Sequence, residues 1–206
     1  MRIGIVGAGN VGRLYGEEWV KRGHEVAFSY VRDVGRLESF VGLLGARAYV
    51  LEVEDVAAFS DVVIFAPPFE QIEHAAALLG PVSGKVVVDT TNPFNPERTG
   101  LVDLGTSTAS EKVAELFRDA LVVKALHNVS VEQAASAMRE TPVVVFIAGD
   151  DNRAKDTVAG LIADAGLVPF DTGDLSTAVL SEAPGPLFMN EYNESAVAAA
   201  VATARG

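Results

Sequence analysis

An α/β fold built around a mostly parallel sheet of about eight strands is predicted from two features of this 206-residue sequence. First, short apolar runs alternate with stretches of helical length along nearly the whole chain. Continuous apolar strands with helical connections are typical of parallel sheets that helices cover on both faces. Second, a glycine-rich turn separates the first strand from the first helix. Together these features predict a Rossmann-type, doubly wound sheet.

Strands are predicted where β-branched or aromatic residues form a short run that ends at turn residues. The run at 2–7 (RIGIVG) is bounded by glycine, and Pro67-Pro68 terminates the apolar run that begins at residue 61. The eight predicted strands cover residues 2–7, 25–30, 47–50, 61–68, 85–93, 120–128, 142–151 and 167–171.

Helices are predicted between these strands from apolar spacing and from end signals. Within residues 10–23, Val11, Leu14 and Trp19 can share one side, and Gly23 suits a C-terminal cap. The other predicted helices cover residues 34–45, a brief stretch ending at Ser60, and residues 70–80, 109–119 and 152–166.

Composition and charge argue against several classes of partner. The net charge of −12, from 28 acidic and 16 basic side chains, argues against nucleic acid and anionic membranes. The chain has no cysteine, which excludes disulfides and thiolate metal sites and suits a reducing compartment. Neither a signal peptide nor an apolar run of about 18 residues is found. We expect one cytoplasmic domain over residues 1–206 with a small-molecule partner, and a homodimer remains open.

A glycine-rich turn lies directly between the first predicted strand and the first predicted helix. Its residues are Gly7, Ala8, Gly9, Asn10, Val11 and Gly12. Gly7 permits a tight turn, Gly9 lets a pyrophosphate approach the backbone, and Gly12 lets the helix pack closely on the strand. The N–H groups that begin the helix can then bind phosphate oxygens. This position predicts a dinucleotide site, the alternative being a glycine-rich turn that serves another ligand.

The end of the second strand predicts which dinucleotide is bound. An NAD site carries an acidic residue about 20 positions after the first glycine. Ser29 stands there instead, and the next acidic residue is Asp33. A carboxylate would repel the 2′-phosphate of NADP, whereas a hydroxyl and the Arg32 guanidinium can hydrogen-bond it. We therefore predict NADP(H), with Ser29 and Arg32 at the 2′-phosphate; the alternative is that Arg32 is a solvated turn residue.

Seven segments in family order, from residue 2 to about residue 179, carry a resemblance to a known family. They read IGIVGAGNVG, VAFSYVRD, DVVIFAPP, GKVVVDTTNPFNP, VVKALHNVS, VVVFIAGDD and AGLVPFDTGDLSTA. The sequence resembles the NADPH-dependent coenzyme F420 reductases (F420H2:NADP oxidoreductases). The fold of that family also forms the cytosolic domain of the STEAP metalloreductases.

The resemblance implies roles for residues that follow three of the strands. It implies that Ala66, Pro67, Thr91 and Asn92 lie near the nicotinamide end of NADP. It further implies that His127 and Asn128 flank the cleft where coenzyme F420, the second hydride carrier, stacks. Two features depart from the family. Family members often carry two consecutive basic residues just after the serine, whereas here Tyr30 and Val31 stand before the single Arg32. The segment from about residue 181 also diverges from the deazaflavin-binding C-terminus.

No side chain is predicted to be chemically essential, because hydride transfer between two stacked rings requires mainly their positioning. None of the four tyrosines begins a YxxxK motif, which disfavours a short-chain dehydrogenase. His24, His74 and His127 are too scattered to predict a metal site. His127 is either a pocket residue or a core histidine, and Asp89 has a local hydrogen-bonding role or a catalytic one.

Three functions follow from these features. The first is hydride transfer between NADP(H) and coenzyme F420. The second is NADPH-dependent reduction of a flavin, a ferric chelate or a small organic acceptor on the same fold. The third, of a different class, is a module that binds NADPH as a sensor and turns nothing over.

Overall fold

Eight strands form one continuous sheet in the computed structural model, which describes residues 1–205 apart from the side chain of Glu194. The order of the strands across the sheet is β3-β2-β1-β4-β5-β6-β7-β8. Their bounds are β1 Arg2–Val6, β2 Glu25–Ser29, β3 Ala48–Val50, β4 Val62–Phe65, β5 Val86–Asp89, β6 Leu121–Lys124, β7 Val144–Gly149 and β8 Val168–Asp171. The domain predicted from the sequence ends at Gly206, which lies outside the described residues.

Every neighbouring pair of strands is parallel except β6 and β7. The order reverses between β1 and β4, which is the switch point of a doubly wound sheet. The predicted fold class is therefore confirmed. Since β7 and β8 run opposite to the other six strands, their carboxyl ends lie at the other end of the sheet.

The helices lie on both faces of the sheet, as alternation along β4 illustrates. Val62 and Ile64 belong to the apolar cluster with α1, α2, α6 and α7, whereas Val63 and Phe65 belong to the cluster with α3, α4 and α5. A third cluster packs α8 against β7. The helices are α1 Asn10–Lys21, α2 Val34–Leu44, α3 Val53–Phe59, α4 Ile72–Leu79, α5 Ala109–Leu116, α6 Val131–Ala137, α7 Asn152–Asp164 and α8 Glu194–Arg205.

Two helices and several element ends differ from the prediction. Helices α6 and α8 were not predicted, and α1 and α5 end at Lys21 and Leu116, before the predicted ends. Strands β4, β5 and β6 stop at Phe65, Asp89 and Lys124, so the polar residues that follow lie in loops. These shorter strands place the predicted site residues at the carboxyl end of the sheet.

Candidate functional site

The switch point brings the glycine loop against the end of β4. A Cβ atom added to Gly7, whose φ is +102°, would lie 2.4 Å from the carbonyl group of Ala66. The Ala66 N–H in turn donates to Val6 O at 2.8 Å. No side chain fits at Gly7, so the loop and the predicted nicotinamide-end residues Ala66 and Pro67 meet directly.

The remaining glycines of the loop have the two different environments that a dinucleotide site requires. A Cβ at Gly12 would lie 2.7 Å from Gly7 O and 2.8 Å from Ile5 Cγ2, so the start of α1 packs tightly on β1. A Cβ at Gly9 would meet nothing within 4 Å. Gly9 thus borders open space, where a phosphate group could approach the backbone.

The N-terminus of α1 has no side-chain cap. Helices α2, α5, α6 and α7 each begin with a side chain that accepts a backbone N–H, and α5 and α6 have full capping boxes. At α1 the N-cap residue is Gly9, and the first turn carries no acidic residue. The first helical bond inward is from Arg13 N–H to Gly9 O. The N–H groups of Asn10, Val11 and Gly12 are therefore available to an anion, as in dinucleotide-binding turns.

Hydrogen bonds to neighbouring segments hold the loop in place. The N–H groups of Gly7 and Ala8 both donate to Ser29 O, at 3.1 and 3.0 Å. Arg13 Nε donates to Ala8 O at 2.9 Å, and its guanidinium lies over the Phe40 ring, 5.3 Å from the centroid. Sequence reasoning missed Arg13. The signal in the sequence that could have identified Arg13 is a basic residue directly after Gly12, the last glycine of the motif.

Ser29 and Arg32 differ in their access to a 2′-phosphate. Ser29 is 1% exposed, and its hydroxyl donates to Ile5 O at 2.8 Å. The Ser29 hydroxyl, which was predicted to hydrogen-bond the phosphate, therefore donates its proton to a backbone carbonyl within the sheet. Arg32 is exposed just before Asp33, the N-cap of α2. The 2′-phosphate prediction thus rests on Arg32, and Arg36 in the first turn of α2 is a second exposed cation nearby.

Thr91 and Asn92 follow β5 and are tied to two other parts of the chain. The Asn92 side chain donates to His127 O at 3.0 Å and accepts from Ala183 N–H at 2.9 Å. The Thr91 hydroxyl is buried and has no hydrogen-bond partner. A buried, unpartnered hydroxyl at the carboxyl end of a central strand is compatible with a ligand contact there.

His127 is buried beside the segment that follows β8. Its Nε2 lies 2.9 Å from Ser181 Oγ. Burial and the nearby positive charge of Lys124 lower the pKa of His127 well below its usual value. The ring is therefore neutral at neutral pH, so it can donate or accept a hydrogen bond but cannot supply a charge.

Asn128 corrects one sequence-based expectation, because its side chain faces a strand and not a cleft. It is 0% exposed, donates to Val144 O at 3.2 Å and accepts from Phe146 N–H at 3.1 Å. The Asn128 carboxamide thus hydrogen-bonds two backbone groups of β7, which would otherwise lack a partner because β6 ends before this point. Asn128 is therefore a structural residue of the sheet in this structure.

The low pKa of His127 predicts a loss of stability in acid. The unfolded chain takes up a proton near pH 6.5 and the folded chain does not, so this contribution is complete above pH 6.5 and is lost as the pH falls below it. Between about pH 7.5 and about pH 5.5, the free energy of unfolding measured in urea should fall more for the native protein than for His127→Gln, by at most about 1.4 kcal/mol. His74→Gln, at an exposed position, is the control. Equal losses in native protein and His127→Gln would contradict this assignment.

Two further kinds of feature are absent from the part of the chain that the structure describes. No group of three or more His, Asp or Glu side chains in this part of the chain could hold a metal ion. No helix in the same range is long and apolar enough to cross a membrane.

Comparison with known proteins supports the family that the motifs indicated. Residues 2–93 match the family model described as "NADP oxidoreductase coenzyme F420-dependent". The metalloreductase STEAP3 of Rattus norvegicus is 29% identical over 177 residues, which are 86% of this chain and 35% of that protein. The chain thus spans about a third of the length of the curated relatives that it matches.

Two solved structures resemble the whole fold. Hypothetical protein SMa0349 of Sinorhizobium meliloti superposes with a TM-score of 0.84 at 27% identity, covering 94% of this chain and 96% of that one. A candidate F420-dependent NADP reductase of Arthrobacter sp. FB24 superposes with a TM-score of 0.76 at 26% identity, covering 85% and 86%. The resemblance predicted from the motifs is confirmed: residues 2–93 match the coenzyme F420-dependent NADP oxidoreductases, and 86% of the chain is similar to part of a STEAP metalloreductase.

Proposed function

We propose that this protein transfers hydride between NADP(H) and a planar acceptor, with coenzyme F420 as the first candidate. The observation that carries the proposal is the glycine loop, where open space at Gly9 adjoins the uncapped start of α1. Ser29 stands in place of the acidic residue of an NAD site and the exposed Arg32 follows it, which favours NADP.

The residues of this chain would bind and orient the nucleotide, whose nicotinamide ring supplies or accepts the hydride. The N–H groups at the start of α1 would bind the pyrophosphate, and Arg32 would bind the 2′-phosphate. At the other end, Ala66 and the Thr91-Asn92 pair would support the nicotinamide. The neutral ring of buried His127 would help to exclude water from that end.

Coenzyme F420 is the first candidate because the matched family description and the Arthrobacter protein both name it. A ferric chelate or a flavin is the second candidate acceptor, since the 29% identity to a metalloreductase extends over 86% of this chain. A further outcome is a module that binds NADPH and reduces none of these acceptors.

Spectrophotometry with purified protein tests the proposal. NADPH would be mixed with coenzyme F420, with a flavin and with ferric citrate in separate reactions. Loss of F420 absorbance that depends on both NADPH and protein is the expected result. Turnover with only the flavin or only the ferric chelate would show that this compound, and not F420, is the acceptor. Tight binding of NADPH without turnover of any acceptor would instead indicate the sensor, and no NADPH binding would overturn the whole proposal.

Asn92→Leu is expected to slow hydride transfer about tenfold while NADPH affinity changes less than about threefold. The reason is that the Asn92 amide joins the ends of β5 and β6 to Ala183, and ring spacing depends on these loops. Steady-state and single-turnover rates would be compared with titrations of NADPH. Asn152→Leu, at an exposed position at the opposite end of the sheet, is the matched control. An unaltered rate in Asn92→Leu would place the reacting rings elsewhere.

A further inference from the structure

A lysine lies in the core at the carboxyl end of β6. Lys124 is 0% exposed, although lysine is almost never fully buried unless it is paired. Its Nζ donates to Asp89 Oδ2 at 3.0 Å and to Thr91 O, and it lies 3.3 Å from Glu182 Oε2. Lys124, Asp89 and Glu182 form what we term the buried ion cluster.

This cluster holds both backbone polar groups of Thr91. Asp89 Oδ1 accepts the Thr91 N–H at 2.8 Å, and Lys124 Nζ binds the Thr91 carbonyl. The Thr91 hydroxyl remains buried without a partner. Two charged side chains therefore fix the main chain of Thr91.

The cluster also reaches the segment that follows β8. The Glu182 carboxylate accepts from Ala109 N–H at 2.7 Å and from Ser110 Oγ at 3.2 Å, so it binds the start of α5. The residues on either side of Glu182 make the other two links. Ser181 binds the His127 ring, and Ala183 N–H donates to the Asn92 side chain.

Three consecutive residues, Ser181 to Ala183, thus each bind a residue near the carboxyl end of β5 or β6. This is the segment whose sequence diverges from the resembled family. Its polar bonds connect it to Asn92 and His127, which follow β5 and β6, and to Lys124.

We propose that Lys124 is a positioning residue that, with Asp89 and Glu182, fixes the Thr91-Asn92 pair against the nicotinamide end of NADP(H). The inference rests on the proposed function, since Thr91-Asn92 is taken to lie at that end. Lys124 acts through Thr91. The ion pair between Lys124 and Glu182 links the position of Lys124 to the segment after β8.

Calorimetric titration with two ligands separates positioning from general stability. NADPH contains the nicotinamide, whereas 2′,5′-ADP contains only the adenosine end with its 2′-phosphate. Lys124→Met removes the donor to Thr91 O and keeps a side chain of similar length. We expect the affinity for NADPH to fall about tenfold, with the affinity for 2′,5′-ADP changed less than about twofold. In Lys124→Met, the fluorescence signal from bound NADPH should decrease in parallel with the affinity for NADPH.

A neutral triple variant removes the cost of unpaired buried charges. Lys124→Met alone leaves Asp89 and Glu182 without their cation, which is strongly destabilising. Adding Asp89→Asn and Glu182→Gln keeps oxygens that can accept from Thr91 N–H and Ala109 N–H. The triple variant should regain thermal stability and still show the selective loss of NADPH affinity, because Thr91 O still lacks its donor.

Lys155→Met is the matched control. Lys155 is also buried, and it pairs with Asp171 at 2.8 Å, but it lies at the opposite end of the sheet. The Lys155→Met variant should be less stable than the native protein. The ratio of its affinities for NADPH and 2′,5′-ADP should be unchanged. Equal losses for NADPH and 2′,5′-ADP in the Lys124 variants, or no loss for either, would overturn the positioning role.

The unmodified protein gives an independent measurement if the variants do not fold. The chain has five lysines, so the side-chain ¹⁵N signal of Lys124 can be assigned by Lys→Arg changes at the other four. This signal should shift with NADPH and not with 2′,5′-ADP. A signal that responds to neither ligand, although NADPH binds, would overturn the positioning role and leave the proposed function intact. Failure of the native protein to bind NADPH would instead count against the proposed function.

Discussion

Gly9→Val should abolish NADPH binding, with a loss of at least about a hundredfold in affinity, while the fold is retained. A Cβ at Gly9 meets no protein atom within 4 Å, and its φ of −78° suits any residue. The protein therefore has room for the valine side chain. The same space is where a pyrophosphate must approach the N–H groups of α1, so the side chain and the ligand would compete for it.

The measurement is calorimetric titration with NADPH, with circular dichroism to follow thermal unfolding. Gly160→Val is the matched control, because a Cβ at Gly160 in α7 also meets nothing within 4 Å. We expect the two variants to unfold at similar temperatures, and only Gly9→Val to lose NADPH. A folded Gly9→Val protein that binds NADPH normally would show that the nucleotide lies elsewhere.

Arg32→Ala should weaken NADP(H) binding by roughly ten- to hundredfold and leave NAD(H) binding nearly unchanged. A hydrogen bond to a charged group contributes roughly 1.5–3 kcal/mol, which gives this range. The 2′-phosphate is the only group by which the two nucleotides differ. The Ser29 hydroxyl donates to Ile5 O, so the discrimination should depend on Arg32 more than on Ser29.

Arg153→Ala provides the control for the loss of an exposed arginine near an Asp-capped helix start. Arg153 follows the N-cap Asp151 of α7, much as Arg32 adjoins the N-cap Asp33 of α2. Its removal should change neither nucleotide affinity. If Arg32→Ala loses the same factor of affinity for NADP(H) and for NAD(H), Arg32 does not recognise the 2′-phosphate.

The strands and the glycine turn could be predicted from sequence because their signals are local. The apolar run of β4, the turn at Gly7 and the uncapped helix at Gly9 each depend on residues that are close in the chain. By contrast, α8 was missed because its alanine-rich pattern gives only a weak apolar stripe. That stripe, Val197 and Val201, has a partner only when it meets Phe146 of β7.

The sequence predicted where several candidate site residues lie in the fold but not which groups they contact. Thr91, Asn92 and His127 lie at strand ends, as expected, because parallel strands place their carboxyl ends together. Sequence reasoning treated Asn128 as a pocket residue, yet it pairs with β7, which runs antiparallel to β6. A charged Lys124 inside an apolar strand was the available signal for the buried ion cluster, since such a residue requires partners.

By itself, the sequence determined the alternation of strands and helices and the glycine turn, and it predicted NADP as the nucleotide. These follow from backbone sterics, apolar periodicity and charge at positions that are near in the chain. Only the tertiary structure decided the direction of β7, the burial of Ser29 and the position of Ser181–Ala183 against the ends of β5 and β6. The physical reason is that Glu182 lies 58 positions after Lys124, and their ion pair exists only once folding has brought both out of water.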